Sequence, residues 1–130
     1  MNTTASPPQP KGHNRRLGQA GEDLTVGFLG QRGFQVLDRN WRCRQGEVDV
    51  VALDPGGKLA FIEVKTRSSH RCGTPAAAVT GRKLARMRQV AAAWLRDHSQ
   101  VSHRGVRLDL MCITWDGQGV PQCDYRQAIS

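Results

Sequence analysis

Hydrophobic and polar positions along the chain follow two different periods. Apolar residues recur at helical spacing over residues 15–31, at Leu17, Ala20, Leu24 and Phe28. A second helical stripe covers residues 81–97 and includes Met87 and Trp94, and Thr80 can cap its first turn. The chain is therefore predicted to contain two amphipathic helices.

Strand-like segments separate these helices and follow the second one. Residues 34–42, 47–53 and 58–66 are joined by short connections, which predict an antiparallel meander. A strand over 106–115 comes after the second helix, which is long enough for a parallel crossover, and residues 122–127 can add an edge strand. The pattern predicts an α/β fold, with a mixed central sheet in α-β-β-β-α-β order and helices packed on it.

The third strand has charged residues at the end of an apolar segment. Its two faces both begin with apolar residues from Leu59 onward, which is typical of a central strand covered on both sides. Glu63 and Lys65 then follow on one face. Ionised groups in a buried strand cost several kcal/mol of folding free energy unless they are paired or bind a metal. The presence of Glu63 and Lys65 at this position therefore indicates an ion pair or a metal site.

A third charged residue, Asp49, lies on the preceding strand. In a regular strand Glu47 and Asp49 share one face, while Val48 and Val50 share the other. Neighbouring strands are about 4.8 Å apart, so Asp49 and Glu63 can converge on one ion if their register is right.

These three side chains together fit a metal-dependent hydrolytic site. Two carboxylates can hold Mg²⁺, which accepts oxygen ligands and polarises a phosphoryl group. Lys65 can orient the attacking water and offset charge on the phosphate. The alternative interpretation is a salt bridge across the strands, in which Asp49 or Glu63 pairs with Lys65 near the end of the sheet.

The rest of the sequence predicts the domain organisation, the location and the state of the cysteines. Residues 1–13 are rich in proline and polar side chains and are predicted to be a disordered tail, followed by one domain over 14–130. No apolar run reaches the roughly 18 residues that cross a bilayer, so no membrane contact is expected and the cytoplasm is the expected location. The four cysteines are far apart and fit neither a zinc site nor a disulfide scaffold, so reduced thiols are expected.

The charge of the chain indicates an anionic partner. Lys and Arg number 19 against 11 Asp and Glu, which gives a formal net charge of +8. Nucleic acid is the commonest partner of this kind for a small basic protein.

Two segments resemble the signature of the YraN-like family of uncharacterised bacterial proteins. They are residues 46–49 (Gly-Glu-Val-Asp) and 61–67 (Phe-Ile-Glu-Val-Lys-Thr-Arg). The resemblance extends from residues 18–22 through the Arg-rich helix to 107–109. That family is similar to archaeal Holliday junction resolvases and to the PD-(D/E)xK nuclease superfamily. The resemblance implies a restriction-endonuclease-like fold, phosphodiester hydrolysis, and Mg²⁺ or Mn²⁺ as cofactor.

The resemblance also implies roles for individual residues. Asp49 resembles the first acid of the motif, with Val48 in place of its proline, and Glu63 and Lys65 match its E-x-K. Glu22 resembles the acid that resolvase-like members carry on their first helix, where it adds a metal or water contact. An acid early in a helix is also favoured by the helix dipole, so a purely structural role for Glu22 stays open.

Four further residues are candidates for contact with nucleic acid. Thr66 and Arg67 continue the third strand beyond Lys65, and Lys83 and Arg86 lie on the basic face of the second helix. Ordinary surface exposure is the alternative for each of them.

The leading hypothesis is a metal-dependent endonuclease that acts on DNA, with branched DNA among its candidate substrates. A non-catalytic nucleic-acid-binding module that keeps the nuclease fold is the first alternative. A protein-interaction domain with a basic face is the second. Because resolvase-like relatives act as two-fold dimers, a homodimer is a candidate assembly.

Overall fold

The computed structural model describes residues 11–67, 80–115 and 118–129, with side chains described from Gly18 onward. Within these ranges the elements are α1 (Lys11–Gln31), β1 (Gln35–Cys43), β2 (Gly46–Leu53), β3 (Leu59–Arg67), α2 (Gly81–Asp97), β4 (Val106–Thr114) and β5 (Gln122–Arg126). Residues 1–10 of the predicted tail lie outside the description. Residues 11–13 already belong to α1, so the helix begins earlier than predicted, directly after the last proline of that segment.

The five strands form one mixed sheet in the order β1-β2-β3-β4-β5. β1, β2 and β3 are antiparallel neighbours, β3 and β4 are parallel, and β5 returns antiparallel to β4. The predicted α/β architecture with its α-β-β-β-α-β order is confirmed, and β3 is the central strand as expected.

Two apolar layers cover the two faces of the sheet. On one face, α2 packs through Trp94, whose ring meets Phe61 of β3 edge to face at 5.6 Å between centroids. On the other face, α1 packs through Leu29 against a cluster that includes Ile62 of β3. Consecutive residues of β3 thus point into opposite layers, which is why its first half had to be apolar throughout.

The basic face of α2 is exposed as predicted. Thr80 caps the helix by accepting a hydrogen bond from the backbone N–H of Lys83 at 3.2 Å. Arg82, Arg86 and Arg96 are exposed on the side away from the sheet. Neither helix in the described part of the chain is both long and apolar enough to cross a membrane.

The buried side of α1 differs from the predicted stripe. Leu24 is only partly buried, whereas Gly21, Thr25 and Leu29 form the buried line. The reason is local crowding, because a Cβ built at Gly21 would overlap the hydroxyl oxygen of Thr66 on β3. Glycine therefore lets α1 lie closer to the sheet than an alanine-based stripe would allow.

The cysteines correct one expectation. Cys43 and Cys123 are free thiols, as predicted. Cys112, on β4, is disulfide-bonded, contrary to the expectation that all four cysteines are reduced. Wide spacing along the chain gave no sign of this, because folding sets the separation of two cysteines in space independently of their separation in sequence.

The close approach at Gly21 makes a stability prediction. Gly21→Ala should destabilise the protein by about 1–3 kcal/mol, because the added methyl group forces α1 away from Thr66. Chemical denaturation measures this. Gly27→Ala is the matched control: nothing lies within 4 Å of a Cβ at that position, so the exchange should stabilise the helix by up to ~1 kcal/mol. If the double variant Gly21→Ala/Thr66→Ala does not recover the stability that Gly21→Ala loses, overlap with Thr66 is not the cause.

Candidate metal and nucleic-acid site

The site lies where β2 and β3 separate. Their regular pairing ends at Val50 opposite Ile62. Beyond that pair, β2 continues only along β1 and β3 only along β4. The Asp49 carboxylate accepts a hydrogen bond at 2.8 Å from the backbone N–H of Val64. The Asp49 side chain therefore accepts a backbone hydrogen bond at the point where backbone pairing between β2 and β3 ends.

The separation also changes the alternation of β2. Val48 packs into the α2-side layer and Val50 into the α1-side layer, so the two do not share a face as predicted. The prediction assumed a regular strand. Here the ladder with β3 ends between them, and β2 is no longer held in a regular pleat on that side.

Asp49 is a carboxyl group in an environment that disfavours its charge. Burial raises its pKa to about 7. The hydrogen bond from Val64 acts in the opposite direction. The negative charges of Glu63, Glu22 and Glu47 raise the pKa further. Three other carboxylates are thus close enough to repel Asp49, and together with burial they outweigh the hydrogen bond from Val64.

Glu63 and two lysines form the second part of the site. Lys83 Nζ lies 2.7 Å from Glu63 Oε2, and both side chains are largely buried, at 26% and 18% exposure respectively. Burial lowers the pKa of Lys65, and the adjacent Lys83 lowers it further against the attraction of Glu63. Burial also works to lower the pKa of Lys83, but the ion pair with Glu63 outweighs it and raises that pKa. Lys65 and Lys83 thus lie next to each other beside one carboxylate.

Glu22 approaches the site from α1. Its side chain is 16% exposed, although the sequence pattern placed it off the buried stripe. Its Oε1 atom is buried and finds no hydrogen-bond donor among the described residues. Arg39 is 3.8 Å away but lies closer to Asp23, at 2.7 Å. Glu22 therefore presents a buried, incompletely satisfied oxygen whose charge is felt at Asp49.

An open cleft of about 220 Å³ leads to Glu63 between α2 and the β1–β2 turn. Lys83 and Arg86 line it from the helix, and Gln45, Gly46 and Glu47 line it from the turn. Glu47 also pairs with Arg42 at 3.1 Å on the exposed side. Of the carboxylates described above, Glu47 and Glu63 line this cleft.

Two predicted nucleic-acid contacts lie at the end of β3. Arg67 is exposed, and its charge contributes to lowering the pKa of Lys65. Thr66 is half-buried next to Gly21 of α1, so it points away from the cleft that Lys83 and Arg86 line. The contact of Arg67 with phosphate stays a prediction, and the geometry gives Thr66 a packing role.

The donor set fits a hard divalent cation. Oxygen ligands from carboxylates suit Mg²⁺ or Mn²⁺. The buried Glu22 oxygen that no hydrogen-bond donor reaches and the repulsion among the carboxylates around Asp49 are features that a cation would relieve. Across residues 11–67, 80–115 and 118–129, no three His, Cys, Asp or Glu side chains are already gathered as a metal site. Asp49 and Glu63 are the pair best placed to hold a cation, with Glu22 behind them.

Comparison with known proteins identifies the family. The model of "Uncharacterised protein family UPF0102" matches residues 21–113 of this chain. The chain belongs to family UPF0102. This confirms the resemblance to the YraN-like family, and the matched UPF0102 region contains every site residue named above from Glu22 to Arg86.

Individual relatives match nearly their whole length. A UPF0102 protein of Kineococcus radiotolerans is 50% identical over 114 residues, which cover 88% of this chain and 93% of the relative. A UPF0102 protein of Arthrobacter sp. is 43% identical over 113 residues, covering 87% and 94%. A solved structure described as "crystal structure of a repair endonuclease from Pyrococcus abyssi" superimposes with a TM-score of 0.44 at 17% identity, over 85% of this chain and 41% of that one.

The sequence pattern named most of the charged residues that lie here but not their pairing. The charge of Glu63 acts on both Asp49 and Lys65, and Lys83 reaches Glu63 from α2, while a metal-binding or catalytic role for these residues stays a prediction. The ion pair between Lys83 and Glu63 was not predicted, because no spacing rule links residues so far apart in sequence. The contribution of Gln45 to the cleft was also missed, although its position in the tight turn before β2 was a usable signal.

The pKa of Asp49 predicts how stability depends on pH. A carboxyl group whose pKa is raised by folding destabilises the folded state increasingly as pH rises from about 4 to about 7. Asp49→Asn, which can still accept the Val64 N–H, should therefore be more stable than the wild type at pH 7.5, on the order of 2 kcal/mol. Urea denaturation in EDTA measures it, and the difference should shrink towards pH 4.5.

Asp54→Asn is the control variant, for which the expected change in stability at pH 7.5 has the opposite sign. Burial alone would raise the pKa of Asp54, but the Lys58 N–H and the Arg107 guanidinium outweigh it and lower that pKa. Asp54→Asn should destabilise the protein at pH 7.5, with a loss that fades as pH falls. If both exchanges destabilise the protein equally at pH 7.5, the description of Asp49 is wrong.

Proposed function

We propose that this chain is a metal-dependent endonuclease that hydrolyses DNA phosphodiester bonds, with branched DNA among its candidate substrates. One observation carries the proposal. At the fork of two strands the charge of Glu63 acts on both Asp49 and Lys65, and the carboxylates of Glu22, Glu47 and Glu63 all raise the pKa of the buried Asp49. Like charges gathered around a buried group are costly, and catalytic sites are where proteins retain them.

The chain's own residues have distinct tasks in this proposal. Asp49 and Glu63 would hold the cation, and Glu22 would add from α1 an oxygen that no hydrogen-bond donor among the described residues reaches. Mg²⁺ or Mn²⁺, when bound, supplies Lewis acidity at the scissile phosphate. Lys65, whose pKa burial lowers, lies beside Glu63 and is suited to orient the attacking water or to donate a hydrogen bond to the phosphate.

The cleft supports an extended anionic substrate. Arg86 lines its wall next to Glu63, and Arg82 continues the exposed basic face of α2. Cations along one face neutralise the backbone phosphates and position the strand, without reading its sequence. Because each chain carries one such site, cutting two strands of a branched substrate requires two copies, and a homodimer is part of the proposal.

A specific observation also favours the non-catalytic alternative. Glu63 is already paired with Lys83, and no three potential metal ligands are gathered among the described residues. A nucleic-acid-binding module that keeps this fold would need the cleft and its arginines but no cation. The two functions differ in whether DNA is cut.

Nicking of supercoiled plasmid and cleavage of a four-way junction in Mg²⁺ or Mn²⁺ test the proposal. The wild type should cut, and Asp49→Ala and Lys65→Ala should each lower the rate by at least about a hundredfold, because each removes a group that acts on the phosphate or its cation. EDTA should abolish cutting. Asp97→Ala, an exposed acid at the far end of α2, is the control and should cut like the wild type. Tight, salt-sensitive DNA binding without any cutting would favour the module instead.

Arg86 tests the binding surface separately from the chemistry. Arg86→Ala should weaken DNA binding and reduce the slope of log Kd against log salt by about one, since one phosphate contact is lost. Fluorescence anisotropy in EDTA measures both. Arg96→Ala removes another exposed arginine roughly 15 Å further along the same helix and should leave both quantities unchanged. Equal effects of the two exchanges would mean that the cleft does not guide the DNA.

A further inference from the structure

One contact in the site competes with its proposed function. Lys83 Nζ lies 2.7 Å from Glu63 Oε2, so an ammonium group occupies a carboxylate oxygen that a cation would need. The contact is well shielded, since neither side chain is more than about a quarter exposed at 26% and 18%. An ion pair of this kind is stronger than one on an open surface and must be broken before Glu63 can bind a metal with that oxygen.

We propose that Lys83 is the site's internal counter-ion: it holds Glu63 in the metal-free protein, competes with the divalent cation for that carboxylate, and is displaced when the cation binds. The inference rests on the proposed function in one respect, namely that Asp49 and Glu63 are the metal ligands. It goes beyond that function by assigning to Lys83 control over metal affinity rather than a contact with DNA alone.

The positions of the two lysines explain why Lys83 is the one that moves. Lys65 extends from the same strand as Glu63, so it stays beside the carboxylate in any state of the site. Lys83 reaches in from the first turn of α2 on a flexible four-carbon side chain, while its backbone stays in the helix and its N–H is held by the Thr80 cap. It can therefore leave Glu63 without any change in the sheet.

The charges of the site favour this exchange. Lys65 and Lys83 lie side by side, so each positive charge is held near the other. A divalent cation would bring two charges to Glu63 and could also reach Asp49, whereas the Lys83 ammonium brings one charge to Glu63. Displaced towards the cleft, Lys83 would lie beside Arg86, where a phosphate can accept its hydrogen bonds.

The experiment measures Mn²⁺ affinity of the full-length protein without DNA, by isothermal titration calorimetry. Lys83→Met keeps the length of the side chain and removes the competing charge, so it should bind Mn²⁺ about tenfold more tightly than the wild type. The rise in Tm on adding Mn²⁺ should be larger for Lys83→Met than for the wild type, a readout that a merely structural lysine would not move in this direction.

Arg86→Met is the matched control. It removes one positive charge from the same cleft without touching Glu63, so general electrostatics alone should change Mn²⁺ affinity by less than about twofold. A similar gain in both variants overturns the proposal, because charge in the cleft would then be the cause. Unchanged or weaker binding by Lys83→Met also overturns it.

Asp49→Ala separates this inference from the proposed function. If the wild type binds Mn²⁺ and Asp49→Ala does not, the metal site stands, and Lys83→Met alone decides the role of Lys83. If Asp49→Ala binds Mn²⁺ as the wild type does, or none of the proteins binds it, the proposed metal site fails, and the inference fails with it.

Discussion

The hydrogen bond from Val64 N–H to the Asp49 carboxylate is the interaction on which the site depends. It lies at the end of the β2–β3 ladder, where each strand continues with a different partner. A backbone N–H left open at such a fork would be costly, and the carboxylate satisfies it. The same bond holds Asp49 beside Glu63, so the break in the sheet and the convergence of the acids have one cause.

Asp109 and Asp49 are two carboxyl groups near the core that have very different hydrogen-bond partners. Asp109 is fully buried, and it accepts hydrogen bonds from Arg107, Tyr125 and the backbone of Ala128. Each of its oxygens has a partner, as expected for a structural acid that ties β4 to β5 and the segment after it. Asp49 accepts one backbone bond and is surrounded by other acids. The contrast supports a functional interpretation of Asp49 and a structural one of Asp109.

The surroundings of the site are built to keep the acids in place despite their repulsion. Gly21 allows α1 to lie against β3, and this close packing brings Glu22 towards Asp49. On the opposite face, α2 is anchored by Trp94 and the apolar layer, and its first turn carries Lys83 to Glu63. Apolar packing of both helices therefore provides the free energy that holds like charges together.

The sequence by itself determined the element order, the central position of β3 and the identity of the acidic pair. These follow from local rules: apolar periodicity separates helix from strand, a strand apolar on both faces belongs in the middle of a sheet, and Glu63 and Lys65 stand out only because they follow such a segment. The cap at Thr80 and the pairing of Asp109 with Arg107 were predictable for the same reason, since each involves residues close in sequence.

Only the tertiary structure decided which charged groups of the site lie next to one another and which of them form pairs. The fork at Asp49, the burial of Glu22 and the pairing of Lys83 with Glu63 depend on the register of β2 against β3 and on where each helix crosses the sheet. Periodicity assigns a side chain to a face but not to a partner on another element. Electrostatic partners are chosen by distance in space, and a difference of a few ångströms decides whether a carboxylate meets a lysine, another acid or a backbone N–H.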